Sequence, residues 1–249
     1  FKGVQKLSPG HFAVYQNGQL NVEKYWNPDF NQTSELGTND LQNQLYELLT
    51  DSVKLRMQSD VPLGAFLSGG VDSSLMVALM QQHADHQVQT FSIGFPVKAY
   101  DESAYARQVS KHLNTDHHEL IVEPNAVDIL PSLVKYYDEP FSDSSAIPTW
   151  YVSEFTRQNV TVAISGDGGD ELFAGYDRYK AVALAHKIDR IPPLKYLLGL
   201  GLSKCLPTGS KYKGFFRRLK RFLTPIAYSP VHRYLDWINI FPYVNRLEY

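Results

Sequence analysis

The sequence predicts an α/β fold, a doubly wound parallel sheet followed by a helical lobe. Short β-branched and apolar runs alternate with helix-length amphipathic segments through the first two-thirds of the chain. Strands separated by whole helices must pair in parallel through crossovers, which places helices on both faces. Two of the strand-like runs end in loops rich in glycine and acid, SGGVDSS at 68–74 and SGDGGDE at 165–171. Open α/β sheets bind ligands beyond those strand ends.

Before the sheet, LSPGHFAVYQNGQLNVEKYW carries two alternating runs around Asn17-Gly18, which reads as a hairpin turn. The polar stretch NQTSELGT reads as a linker. From Asn39 the spacing turns helical, with Leu41, Leu45, Leu48 and Leu49 on one face and Thr38 or Asn39 as cap. GAFL after Val61-Pro62 is the first strand of the sheet, and a helix is expected from about Val71 to His83. QTFSIGF (89–95) is a second strand. The helix after it has Asp101 at the cap and Ala104, Ala106, Val109 and Leu113 as its apolar positions. HHELIV (117–122) is a third strand, and Asn125–Tyr137 a helix bent at Pro131. Ser145–Gln158 is a helix with Pro148 in its first turn, and NVTVAIS (159–165) a fourth strand. Beyond about Ala183 the pattern is helical and irregular.

The 249 residues, 43% of them hydrophobic, suffice for one large domain or a domain with a smaller lobe. A net charge of −2 gives no global sign of a polyanion-binding protein. With Cys205 as the single cysteine, an internal disulfide and a cysteine-rich zinc site are both ruled out within this sequence. The cysteine count fits a reducing cytosol. The most apolar late stretch, IPPLKYLLGLGLSKCLP, is too interrupted to span a bilayer, and a soluble protein is expected. The opening FKGVQKLSPGHF has no initiator Met and no signal-peptide pattern, so the chain reads as a piece of something longer.

In the first loop, Gly69 and Gly70 permit positive φ and close approach, so successive N–H groups can form a nest for an anion. The helix that starts there adds its positive end, and Ser68, Ser73 and Ser74 offer hydroxyls. Asp72 would repel phosphate unless a cation lies between them, so it reads as a magnesium ligand. A Walker-type loop needs a lysine for the β- and γ-phosphates, and SGGVDSS has none. A cradle for β- and γ-phosphates as one unit suits attack at the α-phosphate, with AMP and pyrophosphate as products. In the second loop Asp167, Asp170 and Glu171 would repel one another unless some hold a metal or face a ligand. Asp170 is a plausible second magnesium ligand, and Asp167 could face the reacting centre. The bland alternatives are a glycine turn with an incidental acid and a solvated acidic turn.

SGGVDSS is similar to the pyrophosphate loop of the N-type ATP pyrophosphatases. Together with FSIGF, HLNTDHHEL, DEPFSDSSAIPTW and SGDGGDELFAGYDRY, it resembles the synthetase domain of glutamine-dependent asparagine synthetases. That resemblance implies an adenine nucleotide alpha hydrolase-like fold and an ATP-dependent carbon–nitrogen ligase. Aspartate would be adenylated at its side-chain carboxylate and then amidated by ammonia from a glutaminase domain. It also implies that Ser68, Gly69, Gly70, Asp72, Ser73 and Ser74 hold pyrophosphate and Mg2+, with Asp170 as the second metal ligand. Leu67 and Ile93 would contact adenine, with Ser165 and Gly166 near the adenosine. The family reading is cytoplasmic, admits a homodimer, and involves neither membrane nor nucleic acid. It divides the chain into a glutaminase remnant with linker (1–36), the synthetase domain (37–183) and a truncated helical C-terminal part (184–249).

The sequence departs from the pattern in places. The N-terminal glutaminase cysteine is not in this sequence, and many members carry Glu where Asp167 stands. The family's catalytic lysine is expected past Tyr249, and Lys211 and Lys213 come too early for it. The fragment would then bind ATP without turning over. An amidotransferase for another acid, or a tRNA modifier of the same ATP pyrophosphatase type, are the alternative readings. His117-His118 at a strand start points to opposite faces and reads as structural. KYKGFFRRLKRFL (211–223) reads as an amphipathic helix with Phe215, Phe216, Leu219 and Phe222 inward, or else as an RNA-binding segment. Tyr136, Tyr137, Phe141, Trp150 and Tyr151 are expected mostly in the core. The acids and serines of DEPFSDSS could shape a pocket for the substrate acid.

Overall fold

The structure is a computed structural model that describes residues 2–98, 101–123, 125–139, 141, 143–207 and 214–239. The chain forms two compact units, residues 1–55 and 56–249.

In the first unit, β1 (His11–Gln16) and β2 (Gln19–Lys24) form an antiparallel hairpin in which Gln16 pairs with Gln19. Asn17 and Gly18 both take positive φ, 54° and 77°, as a two-residue turn of this hand requires. Phe12, Val14, Leu20 and Val22 remain exposed, since two strands cannot bury either face by themselves. Helix α1 (Thr38–Met57) begins as expected, but the leucine face does not become core: Leu41, Leu45 and Leu48 are exposed and Val53 is the fully buried position.

The second unit is built on a four-stranded parallel sheet in the order β5-β4-β3-β6, with β3 Leu63–Phe66, β4 Gln89–Gly94, β5 Asp116–Ile121 and β6 Val162–Ile164. Ala65 pairs with Thr90 on one side and with Ile164 on the other. The chain winds outward through α2 (Val71–His83) and α3 (Ser103–Leu113). It returns through α4 (Ala126–Tyr137) and α5 (Ala146–Arg157) to add β6 on the far side of β3. The winding reverses between β3 and β6, and ligand crevices open at such a switch point.

Packing follows the strand alternation. Phe91, fully buried, stands edge-on to Phe155 of α5 and stacks on His118. Thr90 and Ser92 face the other way and share His117, which meets Thr90 Oγ1 at 2.9 Å and Ser92 Oγ at 3.2 Å. Adjacent histidines thus serve opposite faces, and burial holds the His117 imidazole below its usual pKa. Gly64 is required beneath the Phe91 ring, where a β-carbon would come within 2.7 Å of its edge.

Several expectations are revised. Glu102 holds the cap position of α3, yet Asp101 Oδ1 still accepts from the Ser103 N–H at 3.2 Å. The buried stripe of α3 is Ser103, Ala106 and Ser110, while Ala104 is exposed. Strand β6 has three residues because Val160 N still bonds back to Thr156 O of the preceding helix. Tyr136, Tyr137 and Phe141 are exposed rather than core, and pair as Tyr136–Trp150 and Tyr137–Phe141 on the surface of α4 and α5.

After β6 come a single turn, α6 (Gly169–Leu172), and the long α7 (Asp177–Asp189). Then follow α8 (Pro192–Tyr196), a π-helical stretch (Leu197–Leu202), α9 (Ser203–Cys205), α10 (Phe215–Leu223) and α11 (Pro230–Ile238). These helices close around Ala185, Ile226 and Trp237. Leu223 is the buried residue of α10, and Phe215 and Phe216 are exposed, against expectation. Lys211 and Lys213 lie outside the described residues. Among the described residues no helix is long and apolar enough to cross a membrane.

Candidate active site

The first loop leaves β3 without a break in pairing, because Leu67 N donates to Phe91 O at 2.9 Å. Gly69 then reverses the chain at φ 80°, and a β-carbon there would lie 2.5 Å from Ala106 N of α3. Gly70 is not left-handed: its φ of −68° is open to any residue, which corrects the expectation for this position. Ser68 Oγ accepts from Gly70 N at 3.2 Å and meets Ser73 Oγ at 2.9 Å, so the serines brace the loop from within. Ser74 Oγ is buried and has no partner among the described residues. No side chain caps α2, which leaves its first-turn N–H groups directed at whatever sits before the helix.

The second loop is laid against the first. A β-carbon on Gly166 would come within 2.7 Å of Ser73 N, and one on Gly169 would collide with the Asp72 carboxylate. Gly168, at φ 90°, makes the turn between them. Asp72 is therefore held between the helix start of one loop and the backbone of the other. Ser165 Oγ donates to Asp167 Oδ2 at 2.9 Å, which fixes the Asp167 side chain over its own strand end. Asp170 is folded onto Gly175, where a β-carbon would strike Oδ1, and its carbonyl accepts from Gly175 N at 3.0 Å.

By sequence Glu171 belongs with the other acids of this loop, but its partner is the Tyr176 hydroxyl, which donates to Oε1 at 2.6 Å. That bond lowers the pKa of Glu171 and raises that of Tyr176. Arg178 lies over the Tyr176 ring, 3.5 Å from its centre. The run YDRY carried the signal, since tyrosine and arginine two apart at a helix start reach back to the loop, but reading it requires knowing that α6 is a single turn.

Beside the first loop a cleft of about 220 Å³ opens between β3, β4, α3 and α5. Leu67, Ser68 and Ile93 line it, together with Phe91, Phe95 and Pro148. Leu67 is almost fully buried at 1% exposure, so it forms the floor, while Ile93 is half-buried in the wall. Ser165, Gly166, Asp167 and Asp170 are not part of this lining. From DEPFSDSSAIPTW the cleft receives Pro148 and Thr149 rather than acids, and Asp143 is engaged with Ser145 N at 2.9 Å. Among the described residues no three His, Cys, Asp or Glu side chains converge as a metal cage.

A family model described as asparagine synthase matches residues 44–244. The chain belongs to the asparagine synthase family. Asparagine synthetase [glutamine-hydrolyzing] 1 of Bacillus subtilis is 33% identical over 243 residues, covering 96% of this chain and 37% of that protein. A putative asparagine synthetase [glutamine-hydrolyzing] 2 of Methanocaldococcus jannaschii is 41% identical over 181 residues, 71% of this chain and 35% of that one. The chain thus spans little more than a third of the curated relatives it matches. Among solved structures, the NH3-dependent NAD synthetase of Campylobacter jejuni aligns with a TM-score of 0.36 and 18% identity, over 57% of this chain and 61% of that one. The parallel sheet flanked by helices is the α/β architecture expected of an asparagine synthase domain.

Proposed function

We propose that this chain carries the ATP-dependent synthetase reaction of an asparagine synthetase. The aspartate side-chain carboxylate attacks the α-phosphorus of ATP, giving β-aspartyl-AMP and pyrophosphate. Ammonia then attacks the acyl carbon, and asparagine and AMP leave. The observation that supports this most is the packing of Gly166 and Gly169 on Ser73 and Asp72, which joins both glycine-and-acid loops at the switch point of the sheet.

In this reading the uncapped start of α2, with Ser68, Gly69, Gly70, Ser73 and Ser74, holds the departing pyrophosphate. Leu67 and Ile93 offer an apolar wall to the adenine, and Ser165 and Gly166, outside that lining but packed on Ser73 of the first loop, would border the rest of the adenosine. Asp167, whose side chain Ser165 aligns, would face the reacting centre. Asp72 and Asp170 supply hard oxygen ligands, a set that fits magnesium completed by phosphate oxygens and water rather than an all-protein cage. Magnesium, when bound, would neutralise charge on the leaving pyrophosphate. A glutaminase domain as the ammonia source, a cytoplasmic setting and a homodimer extend the same reading.

The test is phosphorus NMR of the full-length protein with Mg-ATP, ammonia and a panel of carboxylic acids. AMP and pyrophosphate formed only with aspartate is the expected result. The same products with another acid would change the substrate, and ADP with phosphate would refute the role given to the first loop.

A further inference from the structure

A second cleft, of about 390 Å³, lies in the helical lobe between α7, α10 and α11. Arg178 enters it from the first turn of α7, and Arg218 and Arg221, three apart on α10, share one face toward it. Phe222 and Trp237, stacked 5.5 Å apart, supply its apolar wall. Asp177 is the one carboxylate in the lining, set against three guanidinium groups, and it is exposed and near Lys180 at 3.8 Å.

Two of the donors here lack an acceptor. Arg178 Nε and Trp237 Nε1 are both buried, and neither has a hydrogen-bond partner among the described residues. Arg221 uses Nη2 on Trp237 O at 2.7 Å. Guanidinium and indole groups cannot accept hydrogen bonds, so they cannot satisfy one another. Buried donors normally find a partner, and a ligand rich in acceptor oxygens and negatively charged would serve both these donors and the three guanidinium groups. The excess of two positive charges matches a phosphate monoester, which carries about −1.5 to −2 at neutral pH. Guanidinium forks pair with such groups in two-bond geometry.

We propose that this cleft binds a compact phosphate-bearing small molecule, held by Arg178, Arg218 and Arg221 with its apolar part against Phe222 and Trp237. The site shares no residue with the two glycine loops assigned to ATP, and touches the second through the Tyr176 hydroxyl, which donates to Glu171. It stands or falls independently of the nucleotide reading.

The experiment titrates the full chain, with Trp26 and Trp150 changed to Phe, with inorganic phosphate and follows Trp237 fluorescence. Succinate and chloride at matched ionic strength are run alongside. A saturable signal with phosphate is expected. Arg218→Glu should weaken it about tenfold or more, since an attractive charge becomes a repulsive one. Arg218 is exposed and has no side-chain hydrogen bond or ion pair among the described residues, so the fold should be spared, which circular dichroism checks. Asp72→Asn should leave the signal unchanged. A signal that does not saturate, that chloride or succinate reproduces, that ignores Arg218→Glu, or that vanishes with Asp72→Asn would overturn the proposal.

Discussion

The carboxylate of Asp72, in the first turn of α2, lies directly against Gly169, the first residue of α6. A β-carbon at 169 would fall 2.7 Å from both carboxylate oxygens. The contact sets where the acid proposed to hold magnesium sits relative to the backbone of the other loop. Gly169→Ala must therefore push Asp72 aside. In the proposed synthetase reaction of the full-length protein, aspartate-dependent pyrophosphate release should fall about hundredfold, the order of loss that follows a displacement of about 1 Å at a reacting site. Gly168→Ala is the control. No atom crowds its added carbon, but its φ of 90° makes any side chain strained, so it should cost stability by about 1–2 kcal/mol. Melting curves and activity assays on the pair separate the two effects.

Adjacent glycines in the first loop should respond unequally. Gly69→Ala meets both a left-handed backbone and a backbone nitrogen of α3 at 2.5 Å, and should destabilise by about 2–4 kcal/mol. Gly70→Ala has an ordinary φ and meets only the Ser68 Oγ side chain, at 3.3 Å, so with the poorer helix cap it should cost about 1 kcal/mol or less. Urea unfolding of both variants decides this, and equal destabilisation would contradict the loop geometry.

The helical lobe is pinned by a nearly buried ion pair. Arg233, 3% exposed, donates to Asp189 Oδ1 at 2.9 Å and Oδ2 at 2.6 Å, and a third bond reaches Ile226 O at 3.1 Å. The Arg233 hydrogen bonds, aided by its charge and that of Lys195, hold the Asp189 carboxyl at a pKa of about 2, against an ordinary 3.8. A depressed carboxyl pKa stabilises the folded state above the unfolded value, and that contribution disappears as pH falls through the folded value. The pair should supply about 2 kcal/mol above about pH 5 and lose it progressively down to about pH 2. Asp189→Ala, which strands a buried guanidinium, should cost about 3–5 kcal/mol at neutral pH and flatten the acid limb of the stability curve.

Tyr176→Phe removes the bond that most lowers the Glu171 pKa. The Glu171 titration, followed by carboxyl-carbon NMR, should move upward toward the ordinary glutamate value. If it stays in place, the Tyr176 hydroxyl is not its partner in solution. Arg178 loses no ring by this change, so its stacking on residue 176 serves as an internal check on the local fold.

Much of the sheet was legible because its signals are local. Apolar runs of strand length, helices of matching period between them, and loops with glycine after β3 and β6 are each encoded within a few residues. For the same reason Val71–His83 and the Asn17-Gly18 turn are found where the sequence places them. Distance in the chain hid the rest. Whether Leu41 and Leu45 are buried depends on what covers α1, and periodicity alone does not say. The strand order β5-β4-β3-β6, which brings residues 68–74 against 165–169, is a consequence of chain reversal and crossover handedness. Asp189 and Arg233 meet across 44 residues, and Arg178 faces Arg218 and Arg221 only after three helices have packed. The sequence alone determined which residue types would stand at the strand ends. Tertiary packing decided which glycine must be left-handed, which acid lies between the loops, and which donors lack acceptors among the described residues, because each of these depends on atoms contributed by a distant part of the chain.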